Sequence, residues 1–411
     1  FEVTGITLTA NEIIVTNAAS TIDAGAGDDV VTGNDTNSTL TGTDNALNTA
    51  AYQFTSVETA DLNSNALTGT SGADTFDVTG ANALTSADID FTNVASVDAG
   101  DGDDQVNTDG ATLVSRADVA GTVAVDNALT TQQIAFTAVE DLDLANGTLE
   151  GSDAADSFEV ANTALTANGV TVTNAASAID AGTGDDVVTV NDANSTLTGT
   201  NNALNTAAYQ FTSIETADLN SNALTGTSAA DTFGVTGANA LTSADIDFSN
   251  VASVDAGDGD DQVNTNGATL VSQADLAGTV AVDNALTTQQ IAFTAVENLD
   301  LANGMLTGSD AADSFEVTAT TLTANALSVT NVANSIDAGD GTDSLSVDGL
   351  YSWLMGSDNV LNTGSYSFLS LESADLNGNT LGGGRSSDTF QVTADTLTAN
   401  NINIINAISA K

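Results

Sequence analysis

Cysteine, histidine and proline are all absent from this chain of 411 residues, and three basic residues stand against 56 acidic ones. Without cysteine there is no disulfide frame, so stability has to come from strand stacking or from bound ions. Without cysteine or histidine, thiolate and imidazole nucleophiles, imidazole bases and the usual zinc sites are excluded. Arg116, Arg385 and Lys411 are the only cations. Phosphate recognition needs Lys and Arg to displace counterions, so a formal charge of −53 excludes an electrostatic nucleic-acid binder and disfavours an anionic membrane surface. Counter-cations are the natural partners of such a chain. No apolar run approaches the ~20 residues that span a bilayer, so no membrane span is expected. Residue 1 is Phe, which reads as a processed or partial product with any export signal outside it.

What is present argues against disorder. Hydrophobic residues make up 41% of the chain, and Val, Ile, Leu and Phe return at fixed places instead of being diluted among the acids. The lack of proline suits uninterrupted strand ladders. Internal repetition sets the organisation. Aligned phenylalanines fall at Phe1, Phe76, Phe158, Phe233, Phe315 and Phe390, with spacings alternating between 75 and 82, and the long repeat is the sum of the two. Block 1 covers 1–157, block 2 covers 158–314, and 315–411 is a partial, diverged third block. A finer subrepeat lies inside each block, closing on Asp23, Asp61, Asp98, Asp143 and Asp180 and so on to Asp375, at steps of 37, 38 or 45.

Each subrepeat of about 38 residues holds short alternating stretches such as DTFDVT and DIDFTNV between Gly, Asn, Asp and Ser clusters. Thr, Asn, Gly and Asp are poor helix interiors, and the apolar period is nearer 2 than 3.6. The expectation is an all-β chain: a parallel β-solenoid of about eleven such coils, each rising ~4.8 Å. A string of β-sandwich modules of 75–82 residues is the alternative.

Five loops share a further motif, reading DAGAGDDVV from Asp23, DAGDGDDQV from Asp98, DAGTGDDVV from Asp180, DAGDGDDQV from Asp255 and DAGDGTDSL from Asp337. Calcium takes six to eight oxygens; glycines let a tight turn aim carbonyls at an ion while Asp supplies charge. Candidate ligands and turn residues are Asp23, Gly25, Gly27, Asp28 and Asp29 in the first loop, and Asp98, Gly100, Asp101, Gly102, Asp103 and Asp104 in the second. The third supplies Asp180, Gly182, Gly184, Asp185 and Asp186, and the fourth Asp255, Gly257, Asp258, Gly259, Asp260 and Asp261. The fifth supplies Asp337, Gly339, Asp340, Gly341 and Asp343. A solvated Asp-Gly turn kept for its backbone geometry is the plainer reading.

At these residues the chain resembles the calcium-binding repeats of secreted RTX proteins, with consensus GGxGxDxUx. Ala24 replaces the first Gly, while Gly25, Gly27, Asp29 and Val31 match the rest. RTX repeats follow one another directly, whereas here a single motif recurs at the same alternating spacing as the phenylalanines. The facing ligands would therefore come from elsewhere in the stack, with Asp74, Asp156, Asp231, Asp313 and Asp388 as candidates. Phrases such as FTNVASVDAGDGDD and LTGTSGADTF also resemble the β-strand repeats of large bacterial adhesins and of filament or surface-layer proteins. That resemblance implies an exported, calcium-stabilised structural protein of a filament, sheath or surface layer. The alternative is the stalk of a large cell-surface adhesin.

Paired carboxylates can hydrolyse glycosides, yet every pair here recurs several times, and no enzyme is expected. Surface glycans are a further candidate partner, although aromatic platforms are scarce at 4% of residues. Block 3 diverges over 344–385, where the single tryptophan, Trp353, lies with Tyr351 and Arg385. Capping of the stack or a subunit contact would account for that divergence. Both ends of the chain fall inside the repeat pattern, and open solenoid ends favour head-to-tail self-association into a fibre.

Overall fold

The computed structural model describes residues 1–34, 37–49, 51–108, 112–115, 123–126, 133–191, 193–237, 239–265, 269–272, 280–283, 290–393 and 396–410. Arg116 and Lys411 lie outside them. Among the described residues every regular element is a strand, mostly of three to five residues, and no helix is present to cross a membrane. The chain divides into two compact units, Phe1–Asp192 with Leu204–Thr216 and Ala193–Ala203 with Ala217–Lys411.

Within each unit the strands stack as a β-solenoid built of two sheets. In the first unit, one sheet runs Thr59–Asp61, Ile89–Thr92, Ala83–Ser86, Thr75–Gly80, Gln105–Asn107, Asp141–Asp143, Val170–Thr173. The other runs Ala66–Thr68, Ser96–Asp98, Gln133–Thr137, Val123–Asp126, Thr112–Ser115, Leu149–Glu150, Ala178–Asp180. Neither order is the chain order. Each subrepeat opens with a three-stranded antiparallel meander in one sheet, crosses to a strand in the other, and returns for a fifth strand in the first. The next subrepeat does the same with the sheets exchanged. Thus the meander from Thr75 to Thr92 lies in the first sheet and the one from Thr112 to Thr137 in the second. The second unit repeats the plan, with meanders from Thr232 to Ser249 and from Thr269 to Thr294.

A subrepeat therefore contributes five strands, where the sequence suggested a single coil rising one strand spacing. Parallel partners are unequally far apart along the chain, from Val30 with Thr59 at the short end to Ser96 with Ala135 at the long end. The inequality arises because the connections enclosed differ in length, the meander from Thr112 to Thr137 taking more residues than the one from Thr75 to Thr92. Ladders also run across the borders of the candidate sandwich modules, as where Asp141 pairs with Thr171 on either side of Phe158. Independent modules would have closed their ladders at those borders.

Strand alternation builds the core. In Thr75–Gly80 the residues Phe76 and Val78 are buried while Thr75 and Asp77 are exposed, the period-2 pattern of a strand with one face inward. The sheets meet through aromatic contacts, Phe76 on Phe136 at 6.0 Å and Phe158 on Phe211 at 5.5 Å in the first unit, Phe233 on Phe293 at 6.0 Å and Phe315 on Phe368 at 5.5 Å in the second. These spacings suit edge and tilted ring pairs.

Two unlike edges result. All five Asp-Gly loops lie where the chain passes from the second sheet to the first, following Thr21–Asp23, Ser96–Asp98, Ala178–Asp180, Ser253–Asp255 and Ser335–Asp337. The reverse crossings turn instead on Asn. Asn93 and Asn174 adopt left-handed φ values of 55° and 52° and donate side-chain N–H groups to Asp61 and Asp143 one turn away.

Candidate functional site: buried carboxylate columns along one edge

Each Asp-Gly loop after the first packs directly on the loop of the preceding turn that ends in Asp74, Asp156, Asp231 or Asp313, and the glycines make this possible. Gly100 and Gly102 have φ of 105° and 145°, a region that side chains strain to enter. A Cβ on Gly100 would stand 2.1 Å from the Thr70 carbonyl oxygen, and one on Gly102 2.8 Å from the Gly72 carbonyl. Asp23, Asp180, Asp255 and Asp337 each accept the backbone N–H two residues on, closing an Asx turn at the loop entrance.

The motif acids divide into two groups. Asp28, Asp98, Asp101, Asp103, Asp180, Asp185, Asp255, Asp258, Asp260 and Asp340 are exposed, with Asp23 among them and Asp337 half-buried. The last Asp of each motif turns inward: Asp104, Asp186, Asp261 and Asp343 have 0% exposure, and Asp29 is half-buried. Asp104 Oδ1 accepts the Asp74 N–H at 2.7 Å, and Asp104 donates its own N–H to Glu140 Oε2 at 2.9 Å. Asp74 in turn takes the N–H and hydroxyl of Thr70 on its Oδ2. Asp74, Asp104 and Glu140 thus form a column in which Asp104 and Glu140 each cap a backbone N–H of the neighbouring turn. The same column recurs as Asp156, Asp186 and Glu215, as Asp231, Asp261 and Glu297, and as Asp313, Asp343 and Glu372. In the first loop the upper half is present, Asp29 donating its N–H to Glu58.

The other oxygen of the central Asp is the unusual atom. Oδ2 of Asp29, Asp104, Asp186, Asp261 and Asp343 is buried with no hydrogen-bond partner. Burial is the main force raising the carboxyl pKa of Asp104, Asp186, Asp261 and Asp343, opposed by the N–H each accepts and reinforced by neighbouring charges. Asp186 and Asp343 are pushed up to about 6, Asp186 with Asp156 and Glu215 adding to burial and Asp343 with Glu372 and Asp313. A buried anion in this position calls for a proton or a cation.

The fit to calcium is specific in one respect and limited in another. The orphaned Oδ2 supplies one anionic donor per loop, with carbonyls of the glycine turns as the remaining oxygen source. Among the described residues, however, no three Asp or Glu side chains gather to hold a metal ion, because the columns are linked through N–H groups and do not converge on one point. Asp74, Asp156, Asp231 and Asp313, expected as facing ligands, serve the column as stated, while Asp388 accepts the Gly384 N–H. The glutamates were missed in the sequence, although a signal was there. FTSVE, FTAVE and FTSIE end in Glu only in alternate subrepeats, whereas FTNVA does not.

No protein-family model matches this sequence, and no curated protein matches it.

Proposed function

We infer that the chain is a structural component of an extracellular bacterial filament, sheath or surface layer, stabilised by calcium along its Asp-Gly edge and self-associating head to tail. The observation that carries the reading is the repeated buried Oδ2. An isolated orphan would be a local defect, but the same unsatisfied carboxylate at Asp29, Asp104, Asp186, Asp261 and Asp343 is a feature kept in every motif loop. An ion there, held by these aspartates and by loop carbonyls, would offset the desolvation of the carboxylate and tie adjacent turns together. The repeated cross-section supports a mechanical role, since each turn of the stack has neighbours of the same kind.

Negative-stain imaging and circular dichroism with calcium and with EGTA test both halves. Ordered polymers that loosen in chelator are expected, together with a lower melting temperature. Monomers in excess calcium would remove the assembly claim and leave the adhesin-stalk alternative; identical melting in chelator would remove calcium.

A further inference from the structure

Block 3 departs from block 2 at scattered positions that the fold brings to one place. Tyr351, Trp353 and Met355 stand where Asn194, Thr196 and Thr198 stand one block earlier, and Gly382, Gly384 and Arg385 replace Thr225, Thr227 and Ser228. Strands Ser352–Leu354 and Thr380–Gly382 are parallel neighbours, with Trp353 opposite Gly382. The rings of Tyr351 and Trp353 are stacked, their centroids 6.3 Å apart and their planes 18° from parallel. Tyr351 lies across Gly382, where a Cβ would fall 1.6 Å from its hydroxyl oxygen. The threonine of block 2 would displace that tyrosine from the strand, so the two changes fit together.

Beside the shelf lies a cavity of about 410 Å³ lined by Trp353, Met355, Gly383, Gly384, Arg385 and Ser386. Tyr351 and Met355 are 53% and 51% exposed. Arg385 is exposed and makes no hydrogen bond or ion pair among the described residues, although the chain carries 56 acids. The scaffold does not require these residues, because block 2 builds the same pair of strands, Ser195–Leu197 beside Ala223–Thr225, with Asn and Thr.

We propose that this cavity binds a carboxylate-bearing sugar ring, such as a hexuronate unit of an acidic polysaccharide. Near-parallel rings offer a flat apolar shelf for the C–H face of a pyranose. The guanidinium has five donors and no acceptor, in a fork that matches a carboxylate. The volume lies within the range of small-ligand sites, roughly 300–1,000 Å³. The shelf is on a sheet face away from any strand edge, which leaves no ladder for an extended peptide to join. The inference stands independently of the structural role and of calcium.

Trp353 is the only tryptophan, so its fluorescence reports on this site alone. Titration of the full chain with oligogalacturonate should give a saturable change at least about tenfold tighter than with a neutral glucose oligomer, a difference of about 1.4 kcal/mol. Arg385→Gln should erase that preference. Trp353→Thr installs the block 2 residue, so it should keep the dichroism spectrum while losing binding by calorimetry. Absence of saturation, equal affinity for both sugars, or unimpaired binding by Trp353→Thr would overturn the proposal. So would a fluorescence change that follows protein concentration without sugar, which would mark a second copy of the chain as the occupant.

Discussion

At the scale of single residues, the motif separates into positions set by space and positions set by charge. Gly27 and Gly102 share a left-handed backbone, but a Cβ on Gly27 meets nothing within 4 Å while one on Gly102 meets the Gly72 backbone at 2.8 Å. Gly27→Ala should therefore cost only the backbone strain, about 1 kcal/mol. Gly102→Ala should cost about 1–3 kcal/mol more in urea denaturation, through the displaced loop. The buried aspartates set a pH dependence. Their folded pKa is raised above the ordinary value of 3.8, to about 6 at Asp186 and Asp343, so the folded state binds the proton more tightly. At Asp186 and Asp343 this contribution to stability is full below 3.8 and disappears as pH rises through about 6. In the absence of calcium the urea midpoint should be higher near pH 4.5 than near pH 8. Acidification also relieves general self-repulsion, so Asp343→Asn is the informative variant. It should flatten the pH dependence of the second unit between about pH 4 and pH 6, and an unchanged slope would show that Asp343 does not titrate there. The glycines and Asp residues of the loop were legible in the sequence because they are contiguous. Which Asp would turn inward was not, since Asp103 and Asp104 are identical in type and differ only in the side of the backbone they leave.

At the scale of elements, hairpins explain why an all-β reading succeeded while the strand order stayed hidden. The meander from Thr75 to Thr92 turns on Ala87 and Asp88, with φ of 48° and 57°, and the one from Ser157 to Thr173 turns on Asn168 and Gly169 at 50° and 84°. Two successive positive φ values define a type I′ turn, for which Asn-Gly is the favoured pair. Asn-Gly announces a hairpin in sequence, whereas Ala-Asp does not, so two antiparallel pairings per subrepeat went unread. Replacing Ala87–Asp88 by Asn-Gly should raise stability by about 1 kcal/mol, measured as the urea midpoint of the first unit. A lower midpoint would mean that the Asp88 side chain contributes more than its backbone conformation costs. By contrast, alternation marks the inward face directly at Phe76, Phe158, Phe233 and Phe315, which are buried, whereas Phe390 at the aligned position of the third block is 43% exposed.

At the scale of the whole molecule, protons and cations are rivals for one oxygen. If calcium occupies the orphaned Oδ2 positions of Asp186 and Asp343, adding it should raise the melting temperature by several degrees near pH 8 and by much less near pH 4, where their raised pKa keeps both protonated. Equal stabilisation at both values would place the ion on the exposed loop acids instead. Two sheet changes within a subrepeat and a third on leaving it have a further consequence. Each subrepeat hands the chain to its successor in the opposite sheet from where it began, so any residue placed once per subrepeat lands on the two margins by turns. A residue placed once per pair of subrepeats always lands on the same margin. Parity is thus what allows a single periodic sequence to write two different inscriptions within each unit, Asp-Gly columns at one margin and Asn-Asp pairs at the other. A designer could address either side simply by choosing odd or even positions in the series.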